Sequence, residues 1–450
     1  MQKVAIHNLG CKVNSYEMDV LHQMLQKNGY IIVPFDEIAD IYIVNTCSVT
    51  NIADRKSRQM LHRAKKQNPD AIVVALGCYV QTAGEKIALD ECIDLAIGNN
   101  KKKELIPILT EFLKARGENH TLRHSEIIDI GQTDEYEEMA LKETAEHTRA
   151  YIKIQDGCNQ FCSYCIIPYA RGRVRSRAAA DILDEIRGLV QRGYQEFVFT
   201  GIHISSYGVD FTGEHYNTSS HKGEPLLALT KQVAELDGVR RIRLGSLEPT
   251  IITEEFAAAL SQIPQVCPHF HLSLQSGCDE TLRRMNRQYT TADFACSVAL
   301  LRKYFDQPAI TTDIITGFPG ETEEEFAKTE EFVRSIRFYE THIFPYSKRA
   351  GTVAERMEGQ LTEHVKKERA RKLIAIDSEQ SRLYRESFIG KEQCVLLEEE
   401  KEIEGEKYMI GHTERYVKVA VKAAGKNLSG NQFVTGVPDG MLQEDIVRMP

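Results

Sequence analysis

Over the first hundred residues, short continuous apolar runs alternate with stretches whose apolar positions recur every three to four residues. Residues 3–10 (KVAIHNLG) read as a strand ending at Gly10, 40–46 (DIYIVNT) as a second and 71–77 (AIVVALG) as a third. Between them, Tyr16, Met18, Val20, Leu21, Met24 and Leu25 predict a helix over 15–28, stopped by Gly29, and a further helix covers about 51–67. Apolar strands separated by helices predict a parallel α/β sheet. The pattern fades near residue 112. Residues 115–147 carry Glu135, Glu137, Glu138, Glu143 and Glu146 among few large apolar side chains, and read as a linker or edge excursion.

From residue 150 the alternation resumes. Strand-like runs lie at 151–155, 196–201, 241–246, 269–275, 310–317 and 338–346, with helical patterns between them and a long charged helix over about 361–387. Six strand–helix repeats favour an open or partial α/β barrel over a short doubly wound sheet. Residues 204–223, rich in Gly, Ser, Tyr and His, look like an inserted surface loop. After Gly390 the pattern shortens to 393–398, 407–412, 415–421 and 432–437, separated by turn residues, which suggests a small antiparallel β-barrel. The fold class is therefore α/β, divided into an N-terminal parallel unit (1–114), a linker (115–147), a central partial (β/α)6 barrel (148–384) and a terminal β module (385–450).

At 450 residues the chain is long enough for about three domains. Hydrophobic residues make up 42% and charged residues 27%, which excludes wholesale disorder. No apolar run is long enough for a transmembrane helix, and the first eight residues turn polar before a signal-peptide core forms, so a cytoplasmic protein without membrane attachment is expected. The net charge of −9 argues against binding nucleic acid by bulk charge, leaving room only for a local basic face. Eleven cysteines in a reducing compartment point to metal or chemistry rather than disulfides.

Cys158, Cys162 and Cys165 form a C-x3-C-x2-C loop directly after the first barrel strand. Three thiolates on one short loop can hold three corners of a [4Fe–4S] cluster and leave one iron open to a small molecule. Zinc is the alternative. It is disfavoured because structural zinc usually takes four close ligands, and His147 and His203 are not at finger spacing. Cys11, Cys47 and Cys78 are scattered, but each follows the end of a predicted parallel strand, and such ends share one edge of the sheet. A second three-cysteine cluster is the implied reading, and three buried cysteines acting as small hydrophobes the bland one. Cys92, Cys267, Cys278, Cys296 and Cys394 have no partners at ligand spacing.

Together the two trios, the terminal β module, and stretches 156–177, 245–249 (GSLEP), 272–277 (LSLQSG), 285–290 (MNRQYT) and 313–321 (DIITGFPGE) resemble the radical S-adenosylmethionine (SAM) methylthiotransferases across nearly the whole chain. Within that family, Leu9-Gly10-Cys11-Lys12-Val13-Asn14 looks like the branch acting on N6-threonylcarbamoyladenosine at position 37 of tRNA, next to the anticodon. The neighbouring branches act on isopentenyladenosine or on a ribosomal-protein aspartate. The resemblance implies two [4Fe–4S] clusters and two SAM molecules per turnover. One SAM on the Cys158/Cys162/Cys165 cluster would be cleaved by one electron to a 5′-deoxyadenosyl radical that takes hydrogen from adenine C2. The other would methylate sulfur on the Cys11/Cys47/Cys78 cluster before transfer. It further implies tRNA as partner, an electron donor such as flavodoxin, and a monomer.

By the same resemblance, Ser273, Gln275, Glu248, Gly317 and Gly320 would contact SAM, no other side chain being assigned to catalysis. Turn formation alone is the rival reading for Gly317 and Gly320. Arg171, Arg173, Arg175 and Arg177 alternate after the cluster loop and could pair with phosphates or line a solvated face. Arg55, Lys56, Arg58, Arg63, Lys65 and Lys66 form a second basic run, for which a solvated face is favoured. The terminal module resembles a TRAM domain, an RNA-binding β-barrel, yet residues 385–450 hold nine Lys/Arg against twelve Asp/Glu. Any contact there must come from a local patch such as Arg415, Lys418 and Lys422. A non-catalytic iron–sulfur or zinc RNA-binding protein is the rival of another class.

Overall fold

The apolar runs near the N-terminus become parallel strands because both of their faces are covered: Ile41–Thr46 and Ile72–Gly77 are buried at every position. In the computed structural model, which describes residues 2–118, 122–142, 148–212, 222–423 and 427–450, they lie at the centre of a six-stranded sheet. Its order is Ile31–Val33, Lys3–Asn8, Ile41–Thr46, Ile72–Gly77, Leu95–Ile97 and His124–Glu126, every pair parallel. Helix Lys12–Lys27 buries Val13, Tyr16, Val20, Leu21 and Leu25 on one face, the spacing that predicted it. Helix Asn51–Gln67 starts at Thr50, whose hydroxyl accepts from the Ala53 N–H at 3.1 Å, a cap contributing about 1 kcal/mol.

Of the linker or edge excursion expected over 115–147, the structure shows an excursion along the sheet edge. Helix Leu105–Glu118 continues into it, and His124–Glu126 adds the sixth strand. Ile130, Glu137, Met139 and Leu141 are buried. The acidic residues bind rather than float: Glu137 accepts from the Lys103 N–H at 2.9 Å, and Glu138 accepts from Arg177 Nε at 2.8 Å. The stretch is a strap across the N-terminal unit and the barrel. Glu143, Glu146 and His147 lie outside the described residues, as do 213–221 of the expected surface loop.

Two parallel three-stranded sheets build the central unit: Ala150–Lys153, Glu196–Thr200 and Arg241–Leu244, then His269–His271, Ala309–Thr316 and Glu340–Pro345. Isolated bridges Ile242↔Val266 and Leu247↔Leu272 join them into one open barrel of six strands. Helix Lys12–Lys27 packs on the first barrel strand, and one apolar core runs from Val4 and Leu21 to Ile152, Phe197 and Ile310. After helix Glu363–Glu386 comes a second six-stranded sheet, antiparallel except where Lys418–Lys422 and Ile446–Met449 pair in parallel. Its last two strands, Gly440–Gln443 and Ile446–Met449, are too short for alternation to reveal.

Polar networks lock these parts together. Glu17, on helix Lys12–Lys27, is buried and accepts from Lys102, from Lys153 at 2.8 Å and from Arg171 at 2.8 Å. Arg171 also donates to Asp156 at 3.0 Å and to Asn14 Oδ1 at 2.7 Å. Beneath the barrel, Glu196 pairs with Arg243 at 2.7 Å and Arg241 at 3.4 Å, and these arginines donate to the carbonyls of His412, Thr413 and Glu414 on the terminal module.

Two outcomes follow from burial. Glu17→Gln leaves three buried cations short of a counter-charge and is expected to cost about 3–5 kcal/mol, read as a shift in denaturant midpoint. Burial alone would raise the Glu196 carboxyl, but Arg243, Arg149 and Arg241 hold it down at about 2. A depressed carboxylate stabilises above its ordinary value of about 4.5 and loses that contribution as pH falls toward about 2. Stability should decline across that window, with a shallower slope in Glu196→Gln, measured by denaturant unfolding at each pH.

Candidate active site

Strand register brings the first cysteine trio together. Asn8 pairs with Asn45 and Thr46 with Gly77, so Cys11, Cys47 and Cys78 leave the ends of three adjacent strands. A Cβ on Gly10 would lie 2.9 Å from both Cβ and Sγ of Cys47, and Gly10 has φ +107°, so only glycine allows this approach. Burial, with the nearby Cys78 and Cys11 adding to it, pushes the Cys47 thiol up to about 11. Three soft sulfur donors, with Cys47 resisting ionisation on its own, suit a cationic metal centre that would bind them as thiolates. Asn99 Nδ2 reaches Cys78 Sγ at 3.6 Å and donates to the Ala170 carbonyl at 2.7 Å.

The second trio lies on the loop after the first barrel strand. The antiparallel pair Gln155–Asp156 and Arg175–Ser176 closes the loop's base, and the Cys158 N–H donates to Gly172 at 3.0 Å. A Cβ on Gly157 would meet the Arg173 carbonyl at 1.8 Å. The Gln160 N–H points at Cys158 Sγ (3.5 Å), and Arg287 Nη1 donates to Cys162 Sγ at 3.1 Å. Burial, with Cys162 beside it, pushes the Cys165 thiol up to about 12. Two N–H donors aimed at three clustered thiols fit an iron–sulfur centre, whose sulfurs are tuned by such bonds. The trios are close neighbours, because the helix Cys78–Ala83 packs against Ile167–Arg171, which begins two residues after Cys165.

Glu248 stands under this loop. It accepts from Gln160 Nε2 at 3.1 Å and Arg287 Nη2 at 2.7 Å, and lies 3.3 Å from His203. Burial would raise its carboxyl, but His203 and Arg287 hold it at about 2, so it stays an anion that orients Arg287. Ser273 and Gln275 are half-buried past the end of the fourth strand, and the Tyr289 hydroxyl donates to the Leu274 carbonyl between them at 3.0 Å. The Gly317 N–H donates to Glu321 at 2.8 Å, and Glu321 is held by Arg369 at 2.6 Å. Gly320 donates to the Gly359 carbonyl at 2.9 Å. Their turn is thus fixed by protein contacts, whatever it presents to a ligand.

The barrel encloses a cavity of about 500 Å³. Cys11 and Lys12 line it at the open side, Thr200, Gly201, Gly245 and Ser246 at the strand ends, and His271, Asp313 and His342 along the wall. Tyr416 of the terminal module floors it, stacked between His269 (5.1 Å) and His412 (4.5 Å), with Arg149 and Arg243 each 4.9 Å from its ring centre.

Three of the four alternating arginines are not available to phosphate. Arg171, Arg175 and Arg177 are 0%, 1% and 1% exposed. Arg175 donates to the Arg171 carbonyl at 2.8 Å, and Arg177 pairs with Glu138 and Glu185. Only Arg173 is partly open, lying 4.6 Å over the Phe161 ring. Arg415 is likewise engaged, with Glu414 and the Asp306 and Gln307 carbonyls, while Lys418 and Lys422 form ion pairs with Asp445 and Glu406. In contrast, Arg55, Lys56, Arg58 and Lys66 are exposed on helix Asn51–Gln67, just beyond Cys47.

Sequence reasoning missed Arg287, Arg349 and Asn99. Arg349 pairs with Asp54 and donates to Ser48, clamping the segment after Cys47 to the barrel. Arg287 sat within a recognisable stretch, MNRQYT, but Asn99 and Arg349 carry no local signal. Gly10→Ala is expected to displace Cys47 and strip iron from the first trio while sparing the second, read as iron per chain after anaerobic reconstitution.

Residues 3–98 match the uncharacterized protein family UPF0004, and 152–333 match the radical SAM superfamily. The chain is 39% identical, over 94% of its length and 91% of the relative's, to the threonylcarbamoyladenosine tRNA methylthiotransferase MtaB of Bacillus subtilis. It is 32% identical, over 98% and 90%, to the tRNA-2-methylthio-N(6)-dimethylallyladenosine synthase of Acetivibrio thermocellus. Among solved structures it resembles the radical S-adenosylmethionine methyltransferase TsrM of Kitasatospora setae in fold, with TM-score 0.54 and 17% identity over 76% of this chain and 73% of that one.

Proposed function

We propose, for a chain that belongs to the threonylcarbamoyladenosine tRNA methylthiotransferase family, that it places a methylthio group on C2 of N6-threonylcarbamoyladenosine beside the anticodon of tRNA. The observation that carries this reading is the pair of cysteine trios set against one another, with Cys11 lining the barrel cavity. Cys158, Cys162 and Cys165 would hold the cluster that binds SAM, and Cys11, Cys47 and Cys78 a second. When bound, these groups supply one-electron chemistry strong enough to break an inert C2–H bond, and the sulfur that replaces the hydrogen.

The chain's own residues prepare that chemistry. Glu248 holds Arg287 against Cys162, and the Gln160 N–H faces Cys158, so the loop's sulfurs meet fixed donors. Ser273, Gln275, Gly317 and Gly320 would line the SAM side, and the barrel wall would exclude water from the adenine. The exposed cations of helix Asn51–Gln67 are a better candidate for phosphate contact than the buried arginines after the loop. The terminal sheet would act as a TRAM-like RNA-binding module. A flavodoxin-type electron donor, a monomeric state and a cytoplasmic site complete the reading. No helix among the described residues is long and apolar enough to cross a membrane.

Anaerobic reconstitution tests it. About eight irons per chain are expected, falling to about four in Cys47→Ala and in Cys158→Ala. Cys47→Ala should still release 5′-deoxyadenosine from SAM but form no methylthio product, whereas Cys158→Ala should do neither. Zinc in place of iron, or no SAM cleavage by the wild type, would instead indicate a binding protein. Nucleoside analysis of a deletion strain fixes the substrate, and loss of only the methylthio-isopentenyl species would overturn it.

A further inference from the structure

The barrel cavity holds a charge that neither cysteine trio needs. Of the cations lining it, Arg149 and Arg243 are held by Glu398 and Glu196. Of the acids, Asp313 faces His271 at 3.4 Å, and Glu340 makes no ion pair with a described cation within 4.0 Å. The Lys12 ammonium makes no hydrogen bond or ion pair among the described residues, and its Nζ lies 6.0 Å from the centre of the Tyr151 ring. Lower on the same wall, Arg149 Nη1 and His269 Nδ1 are buried without a hydrogen-bond partner.

We propose that Lys12 is the specificity residue of this cavity and pairs with a carboxylate carried by the N6 substituent of the target adenine. The inference rests on the substrate reading above and deepens it. Lys12 follows Cys11 directly, and both line the cavity. In adenine, C2 and the carbon bearing N6 flank N1 on one edge of the ring. A base that turns C2 toward the sulfur held near Cys11 therefore brings its N6 substituent to the neighbouring residue. At about 500 Å³ the space suits a substituted nucleobase. His271, Asp313 and His342, whose ligand atoms lie within 4.8 Å of one another, offer donors and acceptors to the hydroxyl and urea of such a substituent.

The same ammonium acts against the rival base. An isopentenyl group would cover Lys12 with hydrocarbon and leave a desolvated charge unpaired, and sites built for a polar partner reject analogues that lack it.

The test uses the reconstituted holoenzyme and anticodon stem-loop RNAs bearing threonylcarbamoyladenosine, its neutral methyl ester or isopentenyladenosine. Affinity is read by fluorescence anisotropy at one salt concentration. Wild type should bind the acid about tenfold or more tightly than the ester, Lys12→Met should bring that ratio to within about twofold, and Lys12→Arg should restore most of it. Iron content matching wild type guards against a disturbed Cys11 site, and Lys12→Gln is a second neutral variant. Equal wild-type affinity for acid and ester, or an undiminished preference in both neutral variants, overturns the proposal. A separate arm measures wild-type turnover. Methylthio product from the isopentenyl RNA but not from the acid overturns the substrate reading itself, whereas product from the acid with no Lys12-dependent preference sinks only the role of Lys12.

Discussion

A single buried carboxylate, Glu17, sets how the N-terminal unit sits on the barrel. It lies six residues past Cys11, on the helix that Cys11 precedes, and its partner Arg171 lies six residues past Cys165. Removing such charges from water is costly unless each finds its partner in good geometry, so few relative placements of the two units satisfy Lys102, Lys153, Arg171 and Asp156 at once. Apolar contact between helix Lys12–Lys27 and strand Ala150–Lys153 would tolerate sliding. The ion network does not. A substrate worked on between two such sites, as the proposed function requires, needs that rigidity, because small displacements of reacting groups are expensive.

Most elements were legible because periodicity reports burial. Helix 51–67 and the strands at 41–46, 72–77 and 196–200 appear where apolar spacing put them. The elements that escaped share a cause. His124–Glu126 is a polar three-residue edge strand, and the final strands at 440–443 and 446–449 are equally brief, so neighbours rather than their own side chains decide their state. The acidic stretch reads as linker or edge excursion for a related reason. Its carboxylates do not reveal their partners, because cations that bind them, such as Arg177, lie far along the chain.

The site divides along the same line. Cysteines announce themselves by ligand chemistry and by their place at strand ends, and the structure brings each trio together. Arginines announce only charge. The run Arg171, Arg173, Arg175 and Arg177 suggested phosphate binding, yet three of the four are interior struts whose carboxylates come from Glu17, Glu138, Asp156 and Glu185. The exposed cations lie instead on helix Asn51–Gln67, which was discounted because its charge resembles any solvated helix. Arg287 lies in a recognisable stretch that does not reveal its role, and Arg349 carries no signal at all, since what they touch is set by tertiary contact.

Tyr416 has a consequence for traffic through the enzyme. With His269, His412 and two guanidinium groups packed around its ring, it stoppers the barrel at the amino ends of the strands. A base and a cosubstrate bound as proposed would then have to come and go away from that floor, past the cysteine-bearing side of the barrel.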